Sequence, residues 1–89
     1  MRPRHHQAIL TDHAWQRYQE RSWKILKRTK LQSLCTVRLN EAIGKGMIVD
    51  YTGAGWFEVI PWLWAVVKVV DDGWLVLTFK VLEGEKEVG

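Results

Sequence analysis

The hydrophobic period of this chain changes once, near the glycines at positions 44 and 46. Before that point apolar residues recur every three or four positions, which indicates amphipathic helices. From Met47 onward the period falls to two, and β-branched and aromatic residues dominate, which indicates strands. The chain has 89 residues, so helices and strands share one small domain with a single core.

Two helices are expected in the first half. Thr11 followed by Asp12 is a typical N-cap with an acidic first turn, and it opens a helix that runs to about Arg21. A second helix ends at Gly44 or Gly46. Its apolar stripe consists of Leu31, Leu34, Cys35, Leu39, Ala42 and Ile43. The segment 24–30 between the helices is either a short helix or a loop.

Four strand-like runs follow, over residues 47–52, 56–60, 62–70 and 74–82. Pro61 marks a bulge, a bend or an edge between the second and third runs, because proline cannot donate to a sheet ladder. We therefore expect an α+β fold with two N-terminal helices packed on an antiparallel sheet of three or four strands. Residues 1–8 form a basic tail and residues 83–89 an acidic one.

The last two runs can be aligned as a hairpin. A three-residue loop, 71–73, pairs Val70 with Trp74 and Leu63 with Val81, which makes one face wholly apolar. A two-residue loop would mix the faces and is rejected. The second face then carries Trp62, Trp64, Val66, Lys68 and Val70 on one strand and Trp74, Val76, Thr78, Lys80 and Leu82 on the other. Trp64 lies opposite Lys80, within reach of a cation–π contact.

Charge is divided unevenly along the chain. Residues 1–45 hold ten Lys and Arg against three acids, whereas residues 46–89 hold three Lys against seven acids. This asymmetry favours a polyanionic partner for the first half. The single cysteine, Cys35, cannot form an internal disulfide and is expected to be a buried, inert thiol. No run of 18 apolar residues occurs, so we expect a cytoplasmic protein without a membrane segment.

Three residues spaced by four form one stripe along the first helix: His13, Arg17 and Arg21. The imidazole titrates near neutrality, and the two guanidinium groups suit phosphate oxygens. Such a set can cleave RNA without metal, since a base activates the 2′-hydroxyl, arginines stabilise the charge on the phosphoryl group and an acid protonates the leaving oxygen. A solvated helix face with an ordinary histidine is the other interpretation of the same pattern.

Segment 9–21, ILTDHAWQRYQER, resembles the N-terminal signature of a small prokaryotic domain family, a strand ending in Thr-x-His-Ala followed by x-x-Arg-x-x-x-Arg. Segment 66–79, VVKVVDDGWLVLTF, is similar to the closing hairpin of that family. The family is grouped with the RelE/barnase-like superfamily of metal-independent ribonucleases and toxins. The resemblance implies a helix-on-sheet fold and carries His13, Arg17, Arg21 and Thr78 over as site residues. We add Lys80 from the hairpin alignment.

Further residues are candidates for binding RNA. The run Lys24, Lys27, Arg28 and Lys30 contains no acid, and binding through it would be steeply salt-dependent. Lys68 and Trp64 lie on the aromatic and cationic face of the hairpin. No spacing of His and Cys resembles a zinc site, so neither a metal nor another cofactor is expected.

Two functions from different classes remain open at this stage. The first is a metal-independent endoribonuclease of RelE/barnase-like toxin type, with RNA as substrate and an antitoxin protein as a possible partner. The second is a non-catalytic protein, monomeric or homodimeric, that binds a protein, a nucleic acid or a second copy of itself through the Trp-rich sheet face.

Overall fold

The computed structural model describes residues 6–71 and 73–82. Five strands and two helices follow one another in these ranges. In chain order they are β1 (Ala8–Leu10), α1 (Asp12–Arg21), α2 (Arg28–Lys45), β2 (Ile48–Val49), β3 (Gly55–Ile60), β4 (Leu63–Val70) and β5 (Gly73–Val81). Most of the two predicted tails lies outside the described residues. No helix in the described part of the chain is long and apolar enough to cross a membrane.

The sheet has five strands in the order β1-β5-β4-β3-β2. β1 runs parallel to β5 and the other neighbours are antiparallel, so the sheet is mixed. The α+β class is confirmed, but the prediction of three or four antiparallel strands is wrong. The family resemblance implied a strand ending at the Thr-x-His-Ala signature, but the predicted sheet did not include it, because β1 has only three residues and Trp74, the partner of Ala8, lies 66 positions later. A local hydrophobic pattern carries no information about such a distant pairing.

Both helices begin and end for local reasons. Thr11 is the N-cap of α1, and its hydroxyl accepts a hydrogen bond from the Ala14 amide at 3.0 Å, as predicted. α2 ends at Gly46, whose φ of 87° is a left-handed conformation that glycine adopts at little cost. Residues 22–27 form a loop and α2 begins at Arg28. The segment 24–30, for which the sequence allowed a short helix or a loop, is therefore a loop followed by the first residues of α2. The Tyr18 hydroxyl holds this loop, since it donates to the Lys24 carbonyl and accepts from the Leu26 amide at 2.9 Å.

The β4–β5 hairpin combines two registers. From Leu63↔Val81 to Val66↔Thr78 the pairs are those predicted, including Trp64 opposite Lys80. A bulge follows at Leu77, after which Val67 pairs with Val76 and Val70 with Gly73. The prediction of a three-residue loop is therefore wrong, because the extra residue sits in the bulge and only two residues join the strands. The bulge also moves Trp74 and Val76 from the predicted aromatic face to the helix face.

One face of the sheet is covered and the other is open. Both helices pack on the same face, where their buried side chains meet those of the strands in one core. From α1 and α2 the core takes Ala14, Tyr18, Leu31, Cys35 and Leu39, and from the strands Ala8, Leu10, Phe57, Val59, Leu63, Ala65, Val67, Val76 and Phe79. The strand register places a second set on the opposite side, which we call the open face. It carries Trp56, Trp64, Val66, Lys68, Thr78 and Lys80.

Candidate nucleic-acid interface

Two hydrogen bonds align α1 with β5. At the start of the helix the Thr11 hydroxyl donates to the Val76 carbonyl at 2.8 Å, and at its end the Arg21 Nη1 donates to the Phe79 carbonyl at 2.6 Å. These carbonyls lie on the outer side of β5, where β1 pairs only with residues 74–76. The Tyr18 ring packs edge-on against Phe79, with centroids 5.6 Å apart. α1 therefore runs along the outer side of β5.

Arg21, the last residue of the predicted stripe, reaches β5 through its hydrogen bond to the Phe79 carbonyl. His13 and Arg21 are eight residues apart, about 12 Å along a helix. Val76 and Phe79 are three residues apart, about 10 Å along a strand. The stripe and this section of β5 are thus of similar length, and His13, Arg17 and Arg21 lie in order from Val76 towards Phe79.

The three side chains of the stripe differ in the partners that they contact. Arg17 pairs with Glu20 at 2.7 Å, and hydrogen bonding to Arg17 lowers the pKa of that carboxyl. Arg21 donates to the Phe79 carbonyl and so also has a structural role. The His13 side chain is exposed, and within the described residues it makes no side-chain hydrogen bond. A ligand can therefore approach the imidazole directly from solvent.

Two further predicted site residues lie next to this stripe. Thr78 and Lys80 flank Phe79, the residue whose carbonyl binds Arg21. Their side chains point to the open face, where Thr78 pairs with Val66 and Lys80 with Trp64. The structure therefore brings Arg21, Thr78 and Lys80 to the same section of β5, with the helix on one side of the strand and the open face on the other.

The basic run after α1 divides into a structural residue and three exposed lysines. Arg28 Nη2 donates to Asp12 Oδ1 at 2.8 Å, and its guanidinium lies 5.9 Å from the centroid of the Trp15 ring. It thus ties the start of α2 to the start of α1. Lys24, Lys27 and Lys30 are exposed beyond the C-terminal end of α1 or on the first turn of α2. They extend the positive surface away from the stripe.

Trp64 and Lys68 belong to the open face but to different parts of it. Trp64 lies opposite Lys80, whereas Lys68 lies opposite Leu75. Along β5, Leu75 and Lys80 are about 15 Å apart. Lys80 and Trp64 are cross-strand neighbours, as predicted. Within the described residues, however, the cation–π contact joins Arg28 to Trp15 and not Lys80 to Trp64. Lys68 is therefore separate from the group around Phe79.

Cys35 and the histidines form no further site within the described residues. Cys35 is buried in the core, and burial raises the pKa of its thiol to about 12, so the prediction of a buried thiol is confirmed. No three His, Cys, Asp or Glu side chains of residues 6–71 and 73–82 lie close enough together to hold a metal ion.

Two tryptophans that the sequence did not assign to a common site lie together. Trp23, in the loop after α1, donates from Nε1 to the Pro61 carbonyl at 3.3 Å, next to Trp62. The rings of Trp23 and Trp62 are 63% and 51% exposed. Trp62 was predicted on a strand, but it occupies the turn between β3 and β4. Its position next to Pro61 was the available signal for a turn, yet nothing in the sequence indicated the contact between Pro61 and Trp23.

The fold and this surface define a small α+β domain in which the helix that bears His13, Arg17 and Arg21 runs along one side of a mixed five-stranded sheet. Comparison with protein-family models, curated proteins and solved structures finds no match to this chain.

Proposed function

We propose that this protein is a metal-independent endoribonuclease of the RelE/barnase-like toxin type, acting on RNA phosphodiesters. The observation that carries the proposal is the hydrogen bond from Arg21 to the Phe79 carbonyl. It holds the stripe of His13, Arg17 and Arg21 alongside the strand that bears Thr78 and Lys80. The proposal assigns His13, Arg17 and Arg21 on the helix, and Thr78 or Lys80 on the strand, to neighbouring parts of one RNA chain.

The proposed reaction is an internal transfer at phosphorus. His13 removes the proton of the 2′-hydroxyl, whose oxygen bonds to phosphorus as the bond from phosphorus to the 5′ oxygen breaks. The leaving 5′ oxygen takes up a proton from solvent water, and a cyclic phosphate remains on the other fragment. Arg17 and Arg21 stabilise the charge on the phosphoryl oxygens, with Thr78 or Lys80 as an auxiliary phosphate contact.

Lys24, Lys27 and Lys30 are proposed to bind the RNA backbone next to the cleaved bond. Each lysine that neutralises a phosphate releases counterions, so RNA affinity falls steeply as salt concentration rises. A toxin of this kind would be restrained by an antitoxin protein, which is the protein partner that the proposal implies.

The test is cleavage of total RNA and of ribosome-bound messages in EDTA. Replacing His13 by Ala is expected to lower the cleavage rate by about 10²–10⁴-fold while the thermal melt and RNA affinity stay unchanged. Gln19→Ala is the matched control, because Gln19 is exposed on α1 outside the stripe. Intact RNA at high concentrations of the wild-type protein, with both substrates, would contradict the proposal.

The second candidate function is a non-catalytic protein that associates with itself or another partner through the open face. It is supported by Trp56 and Trp64, which occupy adjacent strands on a face that neither helix covers. Sedimentation equilibrium tests self-association. A dimer that Trp64→Glu dissociates would support it, whereas a monomer at high micromolar concentration would exclude a homodimer.

A further inference from the structure

An exposed apolar surface closes one end of the molecule. We call it the Trp end, and its members are Trp23, Trp62, Val81 and Leu82, which are 63%, 51%, 41% and 42% exposed. Contacts join its parts, since the Trp23 indole donates to the Pro61 carbonyl and the Leu82 amide donates to the Trp62 carbonyl at 2.8 Å. Apolar side chains that are exposed together in this way mark binding surfaces more often than isolated ones do.

The backbone of Trp62 is strained in the conformation that exposes its ring. Its φ is 69°, a left-handed value that is rare for a large aromatic residue. Two contacts hold it there: the Trp62 amide donates to Glu58 Oε2 at 2.7 Å, and its carbonyl accepts from Leu82. A strained, half-exposed tryptophan that the surrounding structure fixes in place is a candidate for function.

The chemistry of this end suits a partner with flat rings and negative charge. The Trp23 indole N–H already has a protein acceptor, so the faces of its ring are what remains for a ligand. Lys24 follows Trp23 in the chain and Lys80 precedes Val81, and both are exposed. The neighbouring acid Glu58 is already engaged by the Trp62 amide. Nucleobases stack on tryptophan, and lysines bind the phosphates between them.

The Trp end also continues the stripe along α1. Arg21, the last residue of α1, is separated from Trp23 by Ser22 alone. An RNA strand whose phosphates follow His13, Arg17 and Arg21 therefore arrives at Trp23 and Trp62. In a duplex the base faces are stacked inside the helix, so only an unpaired segment can bind both the stripe and the tryptophans.

We propose that Trp23 and Trp62 stack unpaired bases, so that the RNA bound by this protein is single-stranded. The proposal rests on the proposed function, since it assumes RNA as the ligand. It adds the class of RNA, gives Trp23 a role that the sequence did not indicate, and moves Trp62 from the predicted Trp-rich sheet face to the Trp end.

The experiment compares the binding of a single-stranded 12-nucleotide RNA with that of a duplex of the same length. Both are 2′-O-methylated so that neither can be cleaved. Trp62→Gly removes the ring and places at φ 69° the residue best suited to it, so a weakened fold is not the expected cause of lost binding. Tyr51→Ala is the control, because Tyr51 is a 99% exposed aromatic residue in the turn before β3.

Trp62→Gly and Trp23→Ala are each expected to weaken single-strand binding about tenfold and to leave duplex binding unchanged. Trp62→Tyr restores most of the affinity, and Tyr51→Ala alters neither value. Equal wild-type affinity for the two RNAs, or equal losses on both, would overturn the proposal. Stronger binding to vesicles of phosphatidylglycerol than to RNA, abolished by Trp62→Gly, would overturn it in favour of a membrane surface.

The two proposals can fail separately. Single-strand preference without any cleavage of unmodified RNA would leave this inference standing and remove the ribonuclease. Cleavage that depends on His13, with RNA binding that does not depend on Trp23 or Trp62, would support the ribonuclease and overturn this inference.

Discussion

The two outer edges of the sheet are built from the same parts but differ in what covers them. Each has a short terminal strand, β1 or β2, that pairs with only part of its neighbour. Beyond that strand an arginine donates to an edge carbonyl, Arg21 to Phe79 at 2.6 Å and Arg38 to Val59 at 3.2 Å. At the β5 edge α1 packs along the strand. At the β3 edge an open groove of about 450 Å³ separates the strand from the C-terminal half of α2.

The difference shows how a small sheet protects its edges in two ways. An unpaired edge invites association with other chains, and arginines and short edge strands both reduce that risk. At the β5 edge the protecting helix also carries the stripe, so the protection and the proposed site use the same element. At the β3 edge Arg38 pairs with Glu41 at 3.2 Å, which leaves its positive charge balanced. The structure therefore predicts greater stability at the β5 edge, which three pairs of variants and one measurement of pH dependence can test.

The largest effect is expected from the core beneath each edge. Phe79→Ala removes a fully buried ring that contacts Tyr18, and we expect it to lower the free energy of unfolding by about 3–5 kcal/mol. Val59→Ala, at an equally buried position of β3, is expected to cost about 1.5–3 kcal/mol because fewer atoms are removed. Urea unfolding measures both. A greater loss for Val59→Ala would reverse the proposed order of the two edges.

Two glycines next to the terminal strands give the next comparison. A Cβ on Gly73 would lie 2.7 Å from the Gln7 carbonyl oxygen, which belongs to the backbone leading into β1. A Cβ on Gly55 would lie 2.6 Å from Met47 Sδ, which is the end of a flexible side chain. We expect Gly73→Ala to destabilise the protein by about 1–3 kcal/mol and Gly55→Ala by less than about 1 kcal/mol. Thermal melts of the two variants would show equal shifts if the contact with β1 were unimportant.

The two edge arginines should differ less. Arg21→Met removes the shorter hydrogen bond and is expected to cost about 1 kcal/mol. Arg38→Met removes a longer hydrogen bond, at 3.2 Å, and a loss of no more than about 0.5 kcal/mol is expected. Chemical denaturation can resolve this difference. Arg21→Met should also weaken RNA binding, whereas a loss of RNA affinity in Arg38→Met would move the proposed interface to the other edge.

The smallest effect concerns pH and the turn after β2. Hydrogen bonds from Thr52 and Trp56, at 2.5 and 2.7 Å, lower the pKa of Asp50 to about 2. Because its pKa in the folded state is lower than its ordinary value, Asp50 adds stability above about pH 4 that is lost as pH falls towards 2. Asp50→Asn should remove this part of the acid dependence of the melting temperature. An unchanged acid profile in Asp50→Asn would show that the carboxylate does not stabilise the β3 edge.

The sequence predicted those features that depend on neighbouring residues. The cap at Thr11, the end of α2 at Gly46 and the pairing of Trp64 with Lys80 are all local, and all were confirmed. The bulge at Leu77 was missed because no glycine or proline marks it. The pattern beyond Leu77 is almost continuously apolar, so two different registers both give an apolar face.

The candidate site was predictable only in part, for the same reason. Spacing alone places His13, Arg17 and Arg21 on one side of a helix. That this side faces β5 depends on the hydrogen bonds of Thr11 and Arg21 to carbonyls more than fifty residues away. The contact between Trp23 and Pro61 likewise joins two loops that no periodic pattern connects.

The pairing of β1 with β5 has a consequence for the order of folding. β1 is the first described element of the chain and β5 the last. Ala8 cannot pair until Trp74 has been synthesised. During synthesis α1 can form on its own cap, but the strand that it packs against lies more than fifty residues further along the chain. Contacts between such distant residues close late and slow the final step of folding. Until then the apolar side of α1 is open to chaperones, and the assembled RNA surface does not yet exist.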